Sequence, residues 1–489
     1  MQLAQNGGSG NRNGALTSPV QGHLIDGTLR QAADFYEVVN PATGLAFALC
    51  PSADRDDLDD AVAAARRAAP AWRALSAGQR RELIAAFADR MVAAAADIAP
   101  LLTREHGKPL EQAKFELTVA AHHMKQLSAI PIGDEILRDD DTKGRVLMRY
   151  HPLGVVGAIA PWNFPIALAM HKVAQALYTG NTLILKPSPF TPLATLAVAA
   201  LARDIFPAGV INVIAGGNEF GAWMTSHPGI DKITFTGSTE TGKKIMASAS
   251  ATLKRITLEL GGNDAALVLD DADLDVVVPG LARSAFYNSG QICMATKRVY
   301  VADNLHDAFV ERLADAVEQH RLGDGMQPDS TLGPLQNIVQ FDKVKTYLAE
   351  AVARDGAQVK TGGQVSEDGG YFISPTIISG LDDDTPLVRE EQFGPVLPVL
   401  RFTDVDDAVA RINDSRFGLG ASVWSRDLDR ALSVAERLNA GTVWVNRHGV
   451  NESEVPFGGM KDSGYGREHG QLGLRSYMEL QVISLPPRT

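Results

Sequence analysis

Short apolar, β-branched runs recur through the middle of the chain at intervals long enough to hold a helix between each pair. They lie at 154–160, 182–186, 210–214, 232–235 and 256–260. Strands that alternate with helical crossovers pair in parallel, so the repetition predicts a mostly parallel, doubly wound sheet. A second α/β set begins after Gly262, at 265–269, 297–301, 396–401, 420–424 and 442–446. Gly261 and Gly262 therefore mark a junction between two units, which suits a chain of 489 residues, too long for one ordinary core. Upstream, 54–127 is helical in pattern and belongs outside the first sheet; Ser76 with Gln79 has the form of a capping box.

Composition narrows the partners. A net charge of -12 argues against nucleic acid or an anionic membrane surface and leaves a small molecule as the expected ligand. The most continuous apolar segment, 193–202, is about half of what spans a bilayer. Cys50 and Cys293 are the only cysteines, so no disulfide framework holds the chain and a reducing cytoplasm is its expected home. Residues 1–20 read as a flexible tail without the basic start and apolar run of a signal peptide. No His or Cys cluster has metal-ligand spacing, so no metal is expected.

Two residues sit in settings that suggest covalent chemistry. Cys293 follows Asn288, Ser289, Gly290, Gln291 and Ile292. Four of those are turn formers and helix starters, and a thiol at a helix N-terminus is stabilised as thiolate. Cys50, in an apolar stretch, reads as inert. Glu259 ends the apolar strand formed by Ile256, Leu258 and Leu260, where desolvation raises a carboxyl pKa and suits it to general-base work. Asn163, between Pro161 and Pro165, has a side-chain amide able to donate to an oxyanion. The turn 235–242 runs from a strand into a helix, with Gly237 and Gly242 allowing close backbone approach and the helix N-terminus offering N–H groups to a phosphate. Lys186 ends a neighbouring strand of the same sheet.

These pieces fall into a familiar order. Asn-Pro-Ala-Thr-Gly (40–44), Pro-Trp-Asn-Phe-Pro (161–165), Lys-Pro-Ser-Pro (186–189), Phe-Thr-Gly-Ser (235–238), Leu-Glu-Leu-Gly-Gly (258–262), Gly-Gln-Ile-Cys (290–293), Glu-Glu-Gln-Phe-Gly-Pro (390–395) and Pro-Phe-Gly-Gly (456–459) together resemble the aldehyde dehydrogenase superfamily. The resemblance runs from about residue 24 to the end. It implies a dinucleotide-binding domain from 21–133 and 152–261, a catalytic domain at 262–475, and a small β oligomerisation arm from 134–151 and 476–489, hence a homodimer or homotetramer.

The resemblance also implies roles. Cys293 is the nucleophile that forms thiohemiacetal and thioester, Glu259 the general base, Asn163 the oxyanion donor, and Lys172 with Glu468 a route for protons. Trp162 walls the nicotinamide channel, Lys186 and Ser238 hold adenosine and pyrophosphate, Glu391 binds the nicotinamide ribose, and Phe393 lies beneath it. Phe164, Ala167, Leu168, His171, Tyr287, Ile292, Met294, Asn451 and Phe457 surround the substrate tunnel. NAD is the first expectation for the cofactor and NADP the second, because the glutamate with which many NAD-preferring members grip the ribose hydroxyls is Pro189 here. Glu259 is usually missing from members that transfer the acyl group to coenzyme A, so the resemblance favours hydrolysis to the acid, with CoA acylation as the alternative. A third reading is a nucleotide-binding protein that has kept the fold without turnover. Members acting on succinic semialdehyde commonly carry arginines where His171 and Tyr287 stand, which points instead to a medium-sized aldehyde bearing a ring or a polar group.

Overall fold

The computed structural model describes residues 16–488 apart from 21 and 368, so residues 1–15 of the expected tail lie outside the described residues. Its first sheet has eight strands in the order Thr28–Arg30, His23–Ile25, Ile211–Val213, Thr182–Lys186, Val155–Ile159, Lys232–Thr236, Arg255–Glu259 and Gly464–Tyr465. The central five, the strands expected from 154–260, are parallel. The chain starts at Val155–Ile159, winds outward one way and then returns to the other side with Lys232–Thr236. Ligands of doubly wound sheets bind beyond the carboxyl ends of the strands at this reversal. Asn163 follows one of the two strands and Gly237 the other.

The second sheet runs Gln358–Thr361, Thr376–Ser379, Val396–Phe402, Thr296–Ala302, Asp264–Val268, Gly420–Trp424 and Thr442–Val445. All its pairings are parallel except that of the first two strands. A third sheet joins Glu135–Asp140, Gly144–Pro152 and Met478–Leu485. Asp34–Asn40 and Leu45–Ser52 form a further antiparallel pair. The expected capping box is present: the Ser76 side chain accepts from the Gln79 N–H at 3.2 Å, and the Gln79 side chain accepts from the Ser76 N–H at 2.9 Å.

The two large sheets are stitched together where the chemistry is expected. Gly464–Tyr465 pairs antiparallel with Leu258 and Glu259, so a segment that follows the second sheet lies along the edge of the first. The neighbouring bridge between Phe457 and Glu468 brings those two residues to the same edge. Among the described residues no helix is long and apolar enough to cross a membrane.

Candidate active site

Asn163 is held by a buried charge pair that sequence reasoning missed. Glu116 accepts from the N–H groups of Ile166 and Ala167, at 2.9 and 3.1 Å, at the start of helix Pro165–Tyr178. These are donors that a helix cannot satisfy internally, and a carboxylate there also suits the helix dipole. Lys108 donates to the other Glu116 oxygen at 2.5 Å and to the Asn163 carbonyl at 3.1 Å. Across the cleft, the Asn163 amide donates to the Gln291 carbonyl at 2.9 Å, while the Asn288 amide donates back to the Asn163 carbonyl at 3.1 Å. The two loops are thus tied reciprocally, two residues from Cys293.

Cys293 itself is not at a helix N-terminus. Asn288, Ser289 and Gly290 have φ of 55°, 56° and 71°, a left-handed run that no α-helix accommodates. The expected stabilisation of the thiolate by a helix end therefore does not apply. Burial pushes the thiol up to about 12, opposed chiefly by the Lys297 ammonium. Lys297, also missed in the sequence, donates to the carbonyls of Ile292 and Cys293 at 2.8 and 2.6 Å and fixes the loop from below. Cys50 is fully buried, with its thiol held far above the ordinary range by desolvation.

Glu259 is 4% exposed and its Oε1 has no hydrogen-bond partner. Desolvation, then the neighbouring Glu468 carboxylate, raises its pKa well above that of an ordinary carboxyl; Lys172 and Arg467 pull the other way. A Cβ on Gly458 would come within 2.7 Å of Glu259 Oε1, so the glycine leaves room for the carboxylate. Lys172, fully buried, donates to Glu468 Oε1 at 2.5 Å and to Thr234 Oγ1 at 3.3 Å; burial pushes the Glu468 carboxyl up, but Lys172 first and then His469 outweigh it and hold its pKa below the usual range. Neither residue is the surface ion former that its type suggests.

Two cavities meet at the thiol. The larger, about 580 Å³, is lined by Glu259, Glu468 and every residue expected around a substrate tunnel: Phe164, Ala167, Leu168, His171, Tyr287, Ile292, Met294, Asn451 and Phe457. Phe164 and Tyr287 stack with their planes 15° apart. His123, His469, Arg283 and Arg447 also line it, and nothing in their local sequence marks them. The smaller, about 160 Å³, is lined by Trp162, Gly237, Ser238, Glu391 and Phe393 among others. Asn163, Thr236 and Cys293 line both.

The residues around the smaller cavity could hold part of a nucleotide. Ser238 caps helix Thr239–Ala249, whose N-terminal N–H groups face this end of the sheet. The Trp162 and Phe393 rings stand edge to face at 5.3 Å. Glu391 accepts from the Gly262 N–H at 2.9 Å, and a Cβ on Gly261 would strike its carboxylate at 2.4 Å. Gly242 does other work than expected: a Cβ there would meet Leu260 at 2.6 Å, so it permits helix-to-sheet packing. Lys186 does not line this cavity; it is 3% exposed, donates to the Pro187 carbonyl at 3.2 Å, and burial lowers its pKa to about 8.

The aldehyde dehydrogenase family model matches residues 29–483. The chain belongs to the aldehyde dehydrogenase family. Its members are NAD(P)-dependent oxidoreductases. The chain is 40% identical over 465 residues to aldehyde dehydrogenase LUC3 of Fusarium, covering 95% of this chain and 98% of that one. It is also 40% identical over 475 residues to the NADP-dependent succinate-semialdehyde dehydrogenase GabD of Escherichia coli, covering 95% and 97%. Among solved structures, the lactaldehyde dehydrogenase of Escherichia coli superposes with a TM-score of 0.92 at 34% identity, covering 96% and 100%.

Replacing Asn163 by Ala is expected to slow the chemical step by about 100-fold to 1,000-fold, the usual cost of one oxyanion donor. Single-turnover cofactor reduction checks this, and an unchanged rate removes Asn163 from that role.

Proposed function

We propose that this aldehyde dehydrogenase oxidises an uncharged, medium-sized aldehyde to the free carboxylic acid through a covalent intermediate on Cys293. The observation that carries the reading is the meeting of the two cavities at Cys293, Asn163 and Thr236, with the unpartnered Glu259 oxygen on the substrate side.

The resting thiol is protonated, so its proton leaves to solvent as sulfur attacks the carbonyl carbon, and Glu259, the unpartnered carboxylate in the same cavity, is kept for the second half of the reaction. The carbon–sulfur bond forms as the carbonyl π pair moves to oxygen. That oxyanion meets the second amide N–H of Asn163 and the Cys293 backbone N–H, which has no protein acceptor among the described residues. A nicotinamide cofactor would be held by Trp162, Glu391 and Phe393, with Ser238 at its adenosine and pyrophosphate end, and would accept the hydride. Glu259 then takes a proton from the water that attacks the thioester; the carbon–sulfur bond breaks and the acid leaves. The Lys172–Glu468 pair beside Glu259 supports proton exit. Glu259 favours hydrolysis over transfer to coenzyme A.

An uncharged substrate follows from the lining. GabD acts on a semialdehyde that carries a carboxylate, but here His171 and Tyr287 offer no fixed charge at the positions expected for arginine. The two arginines lining the cavity, Arg283 and Arg447, are exposed, and Arg447 pairs with Glu452 at 3.5 Å. Pro189 neither grips ribose hydroxyls nor repels a 2′-phosphate, so NAD is the first choice and NADP remains open. Reduced-cofactor absorbance with NAD and NADP, against benzaldehyde, hexanal and succinic semialdehyde, tests this reading. The neutral aldehydes are expected to exceed succinic semialdehyde in kcat/KM by about 10-fold or more. A clear preference for succinic semialdehyde contradicts the proposed substrate class.

A dimer or tetramer is the proposed assembly. The arm sheet has two open edges, Glu135–Asp140 and Met478–Leu485, and exposes Ile136, Leu137, Leu480 and Val482, a combination that favours pairing with another chain. Light scattering that returns a single 52.2 kDa chain contradicts it. A mechanism that depends on a free thiol suits a reducing compartment such as the cytoplasm.

A further inference from the structure

Three histidines from distant parts of the chain form a continuous hydrogen-bonded row along the substrate cavity. His123 lies in helix Leu110–Leu127, His171 in helix Pro165–Tyr178, and His469 directly before helix Gly470–Arg475. His123 Nδ1 is 2.8 Å from His171 Nε2, His171 Nδ1 is 3.1 Å from His469 Nε2, and His469 Nδ1 is 3.0 Å from Asn451 Oδ1. All four side chains line the cavity that holds Cys293 and Glu259. His469 adopts φ 59° and ψ 168°, a backbone conformation almost confined to glycine. Such strain persists where the surroundings over-determine a residue's position.

The row has a definite polarity. Burial lowers the pKa of all three rings, to about 4 for His469, so each carries one N–H. With the Asn451 carbonyl oxygen accepting, every ring donates through Nδ1 and accepts through Nε2. The bonds then run from His123 through His171 and His469 to Asn451, leaving His123 Nε2 as an acceptor with no protein partner among the described residues. Turning the Asn451 amide over reverses all three bonds and makes the same atom a donor. His171 and His469 use both ring nitrogens within the row, so it does not offer a three-nitrogen metal site.

We propose that this row is a specificity element in which His123 Nε2 hydrogen-bonds a hydroxyl on the aldehyde, while His171, His469 and Asn451 set the polarity of that contact. The inference rests on the proposed aldehyde oxidation and narrows its substrate to a hydroxylated, uncharged aldehyde. A hydroxyl both donates and accepts, so either polarity serves it. A carboxylate would need donors and a compensating cation, and a row of neutral imidazoles supplies no charge.

The test compares kcat/KM within matched pairs: 3- and 4-(hydroxymethyl)benzaldehyde against 3- and 4-ethylbenzaldehyde, and 6-hydroxyhexanal against heptanal. At least one pair is expected to favour the hydroxyl by about 10-fold or more, the cost of leaving a buried polar group unpaired. His123→Leu should bring that ratio to near one, and His123→Gln, which keeps hydrogen-bonding capacity, should restore part of it. Asn451→Leu, at the opposite end of the row, should also lower the ratio and serves as the second variant if His123→Leu does not fold. A merely structural role would slow both members of each pair together, and an unmoved ratio in the variants overturns the proposal. Wild-type ratios near one on every pair overturn it while leaving aldehyde oxidation intact. No turnover of any member overturns both.

Discussion

Cys293→Ala is expected to lower kcat by about 10,000-fold to 1,000,000-fold, the range seen when a catalytic nucleophile or its proton acceptor is removed. No other thiol can substitute: Cys50 is fully buried in strand Leu45–Ser52 and does not line the cavity. Cofactor affinity should change little, because Cys293 contributes only one side chain to a cavity also lined by Trp162, Ser238, Glu391 and Phe393 among others. Turnover followed by absorbance and cofactor binding followed by fluorescence titration check the two halves of the prediction. A variant that keeps turnover within about 100-fold of wild type contradicts covalent catalysis, since general-base activation of water alone is not expected to replace a nucleophile.

Glu259→Gln is expected to separate the two halves of the reaction. The thioester should still form, because the amide preserves the shape of the site, but its hydrolysis should slow by about 100-fold to 10,000-fold for lack of a base. Stopped-flow absorbance should show a burst of reduced cofactor equal to the active sites, followed by a slow steady state. The pH dependence follows from the sign of the shift. A base acts only when ionised, and burial together with Glu468 raises the Glu259 pKa well above that of a free carboxyl. Hydrolysis by the wild type should therefore climb with pH through that raised value, where an ordinary carboxylate would already be fully ionised. Glu259→Gln should lose this limb. Acid release at the wild-type rate removes Glu259 from the role of base.

The sequence carried the strand–helix alternation well, because four of the five central strands are buried on both faces and so concentrate apolar and β-branched residues. Thr182–Lys186 and Lys232–Thr236 are buried throughout. Strands with little apolar signal escaped notice: Gln358–Thr361 is largely exposed, and Gly464–Tyr465 is two residues long, defined by its partner at Leu258 and Glu259. The turn before Cys293 was misjudged because Asn, Ser and Gly serve helix starts and left-handed turns equally well, and only the backbone angles separate the two. Lys108, Glu116 and Lys297 look like surface charges in sequence. Their burial depends on partners contributed by the helix start at Pro165 and by the carbonyls around Cys293. The histidine row was beyond sequence reasoning altogether, since positions 123, 171 and 469 meet only in the folded chain.

The most direct measurement is the intact mass of Glu259→Gln after mixing with excess cofactor and benzaldehyde, quenched during the slow phase. Sulfur acylation replaces the thiol hydrogen, so the chain should gain the mass of benzaldehyde less two hydrogens, once per chain, and peptide mapping should place the gain on Cys293. The same treatment of the Cys293→Ala, Glu259→Gln double variant should leave the mass unchanged. Cofactor reduction without any such adduct, or an adduct that survives the loss of Cys293, contradicts the covalent route.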